Sequence, residues 1–185
     1  MKKVISIGLV ILFALFINAS FAQMEKTVLV GGAAMYPSKN IIENAVNSED
    51  HTTLVAAVKA AGLVEVLSGS GPFTVFAPTN SAFNMLPKGT VETLLKPENK
   101  ATLSGILTYH VVAGRLDSKE LMDMIKTGNG TAILTTVAGG KLWVMRKGNK
   151  LIVKDQKGGV ALITTKDVYQ SNGVIHVINK VLMPQ

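Results

Sequence analysis

Gly71 to Phe83 reads GPFTVFAPTNSAF. Phe73 to Ala77 packs aromatic and β-branched residues into a short run, which favours a buried strand with Phe76 inside it. Pro78 has no N–H to give to a ladder, so the strand is expected to stop there. Asn80 reads as a helix N-cap, since its side-chain oxygen can accept from the free amides of a first turn. Ala82, Phe83 and Leu86 then open the helix. The stretch is a junction of buried strand, proline stop and capped helix. It holds no nucleophile–base pair, no metal cluster and no phosphate loop.

Upstream of this junction the pattern is helical. Ser38 precedes Ile41, Ile42, Ala45 and Val46 and reads as a cap. Asp50 to Ala61 predicts a helix with Leu54, Val55, Val58 and Ala61 on one face and Gly62 at its C′ position. Met24 to Met35, with Gly31-Gly32-Ala33-Ala34, shows no period and reads as a flexible lead, residues 23–36. Downstream, short helices are expected from Thr90 and Pro97, and Tyr109 to Ala113 reads as a strand. Asp117 with Glu120 forms a capping-box pattern, opening a helix that Gly128 to Gly130 should end. From Thr131 the period becomes that of strands. Gly139-Gly140 and Gly148-Asn149 are set as hairpin turns, and further strands are expected at Val160–Thr164 and Val174–Val181. Helices in the first half and strands in the second argue α+β rather than repeated βαβ units.

Residues 1–22 read as a secretory leader: Lys2 and Lys3, an apolar run from Val4 to Ile17, and a small-x-small site at Ser20-Phe21-Ala22. The apolar run is shorter than the ~20 residues that span a bilayer, so no membrane-spanning segment is expected after cleavage. The chain has no Cys, which excludes a lipoprotein anchor, disulfides and thiol chemistry. Removing 22 residues from 185 leaves 163, enough for one domain over residues 37–185, and lowers the formal charge from +7 to +5. The expected address is extracellular, cell-surface or periplasmic, and export argues against a nucleic-acid partner. A mild basic surplus is consistent with a solubilising surface or weak attraction to anionic glycans.

The chemistry-bearing residues do not gather into a catalytic pattern. His51, His110 and His176 lack the i, i+4 spacing of a helical metal site, and no acidic cluster accompanies them. His110 reads as a partly buried imidazole bonded to neighbouring backbone. His176 alternates with Ile175 and Val177, so it points away from their face or into a second packed layer. There is no G-x-S-x-G elbow. No enzyme activity, cofactor or metal is expected. Asn129-Gly130-Thr131 fits a glycosylation acceptor and equally an ordinary turn. Met122, Met124 and Met145 either line a plastic apolar groove or fill core.

Three separated segments resemble the signature boxes of the fasciclin (FAS1) family, in the family's order. They are Gly71 to Phe83, the Tyr109-His110-Val111-Val112-Ala113-Gly114 segment, and Asn172-Gly173-Val174-Ile175-His176-Val177-Ile178 with Val181-Leu182-Met183-Pro184. The resemblance implies a wedge-like β-sandwich with helices packed along its side and edge. It makes Phe73, Phe76, Pro78, Asn80, Phe83, Asn172, Gly173 and His176 the structural junction. It also implies adhesive roles for Tyr109 and His110, and for Asp167-Val168, which match a segment implicated in integrin binding in animal members; the alternative is packing, with Tyr109-His110 locking the sandwich to the helices and Asp167 capping its own backbone. Val168 departs from the usual Asp-Ile pair. The implied function is a secreted, non-catalytic adhesion or matrix module that binds a cell-surface or matrix protein or glycan. A single small module makes weak contacts, so it would act as a monomer in many copies. The alternative is a carrier of an apolar small molecule such as a carotenoid or lipid.

Overall fold

A computed structural model describes residues 25–185. The leader and its cleavage site lie outside the described residues. The chain opens with a hairpin, β1 (Val28–Val30) and β2 (Ala33–Met35). Short helices follow: α1 (Ile41–Ala45), α2 (Thr52–Ala61) and α3 (Val64–Ser68). Then come β3 (Phe73–Pro78), α4 (Asn80–Asn84), α5 (Thr90–Leu94), α6 (Lys100–Tyr109), β4 (Val111–Ala113) and α7 (Ser118–Thr127). Five strands complete the chain: β5 (Thr131–Thr135), β6 (Lys141–Lys147), β7 (Lys150–Lys154), β8 (Val160–Gln170) and β9 (Gly173–Ile178). This is the expected α+β arrangement.

Seven strands pair in the order β4-β3-β9-β8-β7-β6-β5. Every pairing is antiparallel except β3 with β9, where the first and last signature segments lie parallel from Phe73↔Gly173 to Pro78↔Ile178. The outermost strands approach each other. Val112 bridges Thr136, and the Val137 amide donates to the Val111 carbonyl at 2.8 Å. The sheet therefore almost closes, giving a nearly barrel-like sandwich. Register shifts between Ile163 and Val168 bend β8. Its first half pairs with β7 and its second half with β9, so one strand serves both layers.

Period-2 alternation sends the two faces of β3 into different cores. Val75 and Ala77 join Val58, Leu107, Ile175 and Val177 in a core under the hairpin and the first helices. Phe76 points the other way, into the sandwich interior with Leu121, Leu142, Val144, Val153 and Ile178. Phe83 anchors a smaller cluster with Ala82, Ile106 and Val181.

Several local expectations need correction. The cap of α4 is Thr79, whose hydroxyl accepts from the Ala82 amide at 3.3 Å. Asn80 instead accepts from the Thr53 amide and donates to the Glu49 carbonyl, pinning the junction to the start of α2. The cap of α1 is Asn40, in a capping box with Glu43, and not Ser38. Tyr109 ends a helix rather than opening a strand. The lead read as flexible contains β1–β2, with Val30 and Met35 buried in the first core. Its glycines form the hairpin turn, with positive φ at Gly31 and Gly32. The capping box of Asp117 and Glu120, the αL Gly62 cap and the strand end at Pro78 are as expected.

Candidate functional site

The polar residues of the second and third segments are mostly used inside the protein. Tyr109 is fully buried, and its hydroxyl donates to the Lys141 carbonyl (2.7 Å) and accepts from the Gln156 amide (3.0 Å). His110 is also buried. The Leu182 amide donates to its Nε2 at 2.9 Å, so Nδ1 carries the proton and donates to the Ile106 carbonyl at 2.8 Å. A neutral ring is therefore built in, and burial holds its pKa down at about 4. Tyr109 and His110 thus lock α6 to the strands and the closing segment. The adhesive role expected of them is corrected, because neither presents a surface to a partner.

His176 has the opposite tautomer. The Asp167 amide donates to its Nδ1 (3.3 Å), leaving Nε2–H to donate to the Leu116 carbonyl (2.8 Å). Its ring is fully buried and stacks on Phe76 with centroids 5.7 Å apart, so the second-layer placement holds. Burial again lowers its pKa. Asn172 joins three elements: it accepts from the Ile41 amide and donates to the carbonyls of Leu67 and Gly69. Gly173 is needed for close approach, since a Cβ there would meet the Phe73 carbonyl oxygen at 2.2 Å.

Asp167 and Val168 point to different places, because the register of β8 shifts between Thr165 and Val168. Val168 is buried in the first core, so it cannot act in an exposed recognition pair, and that expectation is corrected. Asp167 sits in the left-handed region (φ 59°), and its carboxylate accepts from the amide and the hydroxyl of Ser118 at the start of α7. Sequence reasoning missed Ser118, because nothing local links it to a strand 49 residues away. It also missed Arg115, whose guanidinium donates to the carbonyls of Gln170 and Ser171, both at 3.1 Å. Tyr169 donates to Asp117 (3.1 Å) and remains 39% exposed. Together the 114–118 loop and the end of β8 form a clamped surface. It carries a depression lined by Lys26, Pro37, Arg115, Lys166, Asp167 and Tyr169. The side chains it offers to a partner are Arg115, Lys166 and Tyr169.

Asp167→Ala should cost about 2 kcal/mol, from losing the helix-end bonds and placing a Cβ-bearing non-Asx residue at positive φ. Denaturant unfolding followed by circular dichroism measures it. A loss below about 0.5 kcal/mol, the low end for a lost cap, would mean the carboxylate is not holding α7.

The remaining candidate chemistry does not converge. Among the described residues no three His, Asp or Glu side chains gather into a metal-holding group. No described helix is long and apolar enough to cross a membrane. Met122 and Met124 pack from α7 against the sandwich core, while Met145 lies on the outward face of β6, so the three do not form one groove. Asn129 is exposed in the turn after α7 with φ 53°. An apolar void of about 50 Å³ lies in the first core, lined by Met35, Ile41, Val58, Leu107, Val111 and Ile175 among others.

Comparison with known proteins agrees with this architecture. The solved FAS1 domain pair from the insect cell adhesion molecule Fasciclin I superposes with a TM-score of 0.71 at 16% identity, covering 86% of this chain and 58% of that one. Protein sll1483 of Synechocystis sp. is 46% identical over 166 residues, 90% of this chain and 85% of that protein. Periostin of Homo sapiens is 31% identical over 144 residues, covering 77% of this chain and 16% of periostin. The model of the Fasciclin domain matches residues 49–184, from the turn before α2 to the closing Pro184. With the parallel pairing of first and last segments at its centre, this chain belongs to the fasciclin domain family.

Proposed function

We propose that this protein is an exported, non-catalytic module that binds cell-surface or extracellular protein or glycan through the surface around Arg115, Lys166 and Tyr169. The observation that carries the reading is the use of the signature polar residues. Tyr109, His110, Asn172 and His176 all spend their side chains on internal hydrogen bonds. Their chemistry holds the fold, and recognition is left to the outer surface. The likeness to a domain pair from a cell adhesion molecule supports the same reading. Each contact would be weak, so adhesion would rely on many copies acting together. Residues 1–22 would direct export and be removed. The glycosylation of Asn129, if its host performs that reaction, would fall on an exposed turn.

The test is binding of the purified protein to host envelope material and to an immobilised anionic glycan across a salt series. Binding at low ionic strength that fades as salt screens the lysines is expected. Replacing Lys166 and Tyr169 together by alanine should reduce it several-fold. Absence of binding to both materials at low salt would overturn the proposal.

The apolar void is where a second reading, that of a small-molecule carrier, would place its ligand. At about 50 Å³ it is well below the ~150 Å³ at which a dry cavity takes up benzene. A carotenoid or lipid chain would have to lift α1–α3 from the sheet. Protein isolated from its host with bound pigment or lipid would support this reading. A clean absorbance spectrum and lipid extract would exclude it.

A further inference from the structure

The charge of the chain is divided sharply between its halves. Residues 25–123 carry eight Lys or Arg against ten Asp or Glu, whereas residues 124–185 carry nine against two. Both acids of the second half are used internally. Asp155 is buried and accepts from the amides of Gly159 and Met183, and Asp167 accepts from Ser118. Among the described residues, the one ion pair is Lys126 with Asp123, on α7. The cations of β6 and β7 therefore face solvent without acidic partners.

These cations frame an apolar stripe on the outward face of β5–β8. The pairing aligns Ile133, Trp143, Lys154 and Val160 in one row across the four strands. The next row holds Met145, Ile152 and Leu162, followed by the Lys147–Lys150 pair. The inward residues of the same strands, such as Leu142, Val144 and Val153, are fully buried, so alternation places these rows outside. Ile133 is 55% and Val160 45% exposed.

We propose that this face docks on a lipid bilayer bearing anionic headgroups. A dissolved polyanion would satisfy the lysines but leave the apolar stripe in water. The bilayer interface offers headgroup charge to Lys147, Lys150 and Lys154, and a shallow apolar boundary to the stripe. It is also where an indole ring with one polar edge is most at ease. The patch spans four strands at ~4.8 Å spacing and about five residues at ~3.3 Å, roughly 300 Å². That falls short of the ~800 Å² per partner typical of a stable protein interface. The proposal rests on the reading of an exported module that works by contact. Protein or glycan capture without vesicle binding would leave that reading intact and overturn this one.

Trp143 is the only tryptophan in the chain, so the patch carries its own probe. The full chain is mixed with vesicles of phosphatidylcholine plus phosphatidylglycerol, with vesicles of phosphatidylcholine alone, and with dextran sulfate. Co-sedimentation with the mixed vesicles and a blue shift of Trp143 emission are expected, both weakening with salt. Lys150→Glu with Lys154→Glu should weaken vesicle binding by at least about 25-fold, at about fivefold for each of the two lysines removed. Ile133→Ser with Val160→Ser should remove the blue shift and weaken vesicle binding while leaving dextran sulfate binding unchanged. All four positions face outward at the surface, and the variants share residues 1–24, so differences report the face itself. No sedimentation with mixed vesicles at low salt would overturn the proposal. So would unchanged vesicle binding in either double variant, including the case where dextran sulfate alone shifts Trp143.

Discussion

Phe76→Ala is expected to lower stability by about 3–5 kcal/mol. Phe76 is fully buried at the centre of β3, where it faces the sandwich interior and stacks on His176 at 5.7 Å. Removing the ring leaves a cavity that neither side can close. β3 is held between β4 and β9, and His176 is held by Asp167 and Leu116 at its two nitrogens. The cost thus combines lost burial with an unfilled void. For a domain of this size each kcal/mol moves the melting temperature by about 2–4 °C, so a fall of about 10 °C is expected. Phe73→Ala, at the half-buried start of the same strand, should cost clearly less. Equal effects from the two, or an unchanged melting temperature for Phe76→Ala, would mean the ring is not in the interior.

Acid should destabilise the fold through its buried histidines. In the unfolded chain the His110 imidazole has its ordinary pKa of 6.5, and in the folded protein burial lowers it to about 4. The neutral form is the one the fold accepts, with Nε2 receiving the Leu182 amide. A depressed folded pKa contributes stability in full above 6.5, and that contribution is lost as pH falls through about 4. The unfolded chain takes up the proton first. Each pH unit between the two pKa values is worth about 1.4 kcal/mol, so His110 alone should cost about 2 kcal/mol by roughly pH 5 and about 3 below its folded pKa. His51 and His176 are lowered by burial as well, so their contributions have the same sign. Asp117, held low mainly by the Glu120 amide it caps, adds a loss in the carboxylate range. Urea unfolding at a series of pH values measures the slope. His110→Gln should flatten it between neutrality and pH 5, even though the variant is less stable at pH 7. A slope unchanged by that substitution would assign the titration elsewhere.

The strand at Phe73–Pro78, the capped start of α7 and the hairpins of β5–β7 were legible because each is specified by neighbouring residues. Alternation, a proline without an amide hydrogen and the Asp117–Glu120 box act within a few positions. The errors fall where two local signals compete or where a distant partner decides. Thr79 and Asn80 are both good caps, and Asn80 is diverted by the backbone of residues 49 and 53. Tyr-His-Val-Val-Ala has strand composition, yet Tyr109 ends α6 and His110 caps it, with their side chains bonded to Lys141, Gln156, Ile106 and Leu182. The glycine-rich lead looked unstructured until Val30 and Met35 found a core to fill.

The candidate surface was less legible than the fold. Asp167 and Val168 are adjacent in the chain, and the left-handed kink at Asp167 within the irregular stretch of β8 turns one toward Ser118 and the other into the core. Arg115 reaches the carbonyls of residues 170 and 171 across more than fifty positions, which no local pattern encodes.

From its sequence alone this chain declared an α+β domain, its helix and strand periods and three ordered segments, because hydrophobic periodicity and capping chemistry operate over a few residues. Tertiary structure alone decided that the first and last segments lie parallel, which backbone groups Tyr109, His110 and His176 bond to, and that the unpaired lysines share a face with Trp143. Those outcomes depend on which strand lies beside which, and strand pairing is set by burial summed over the whole sheet.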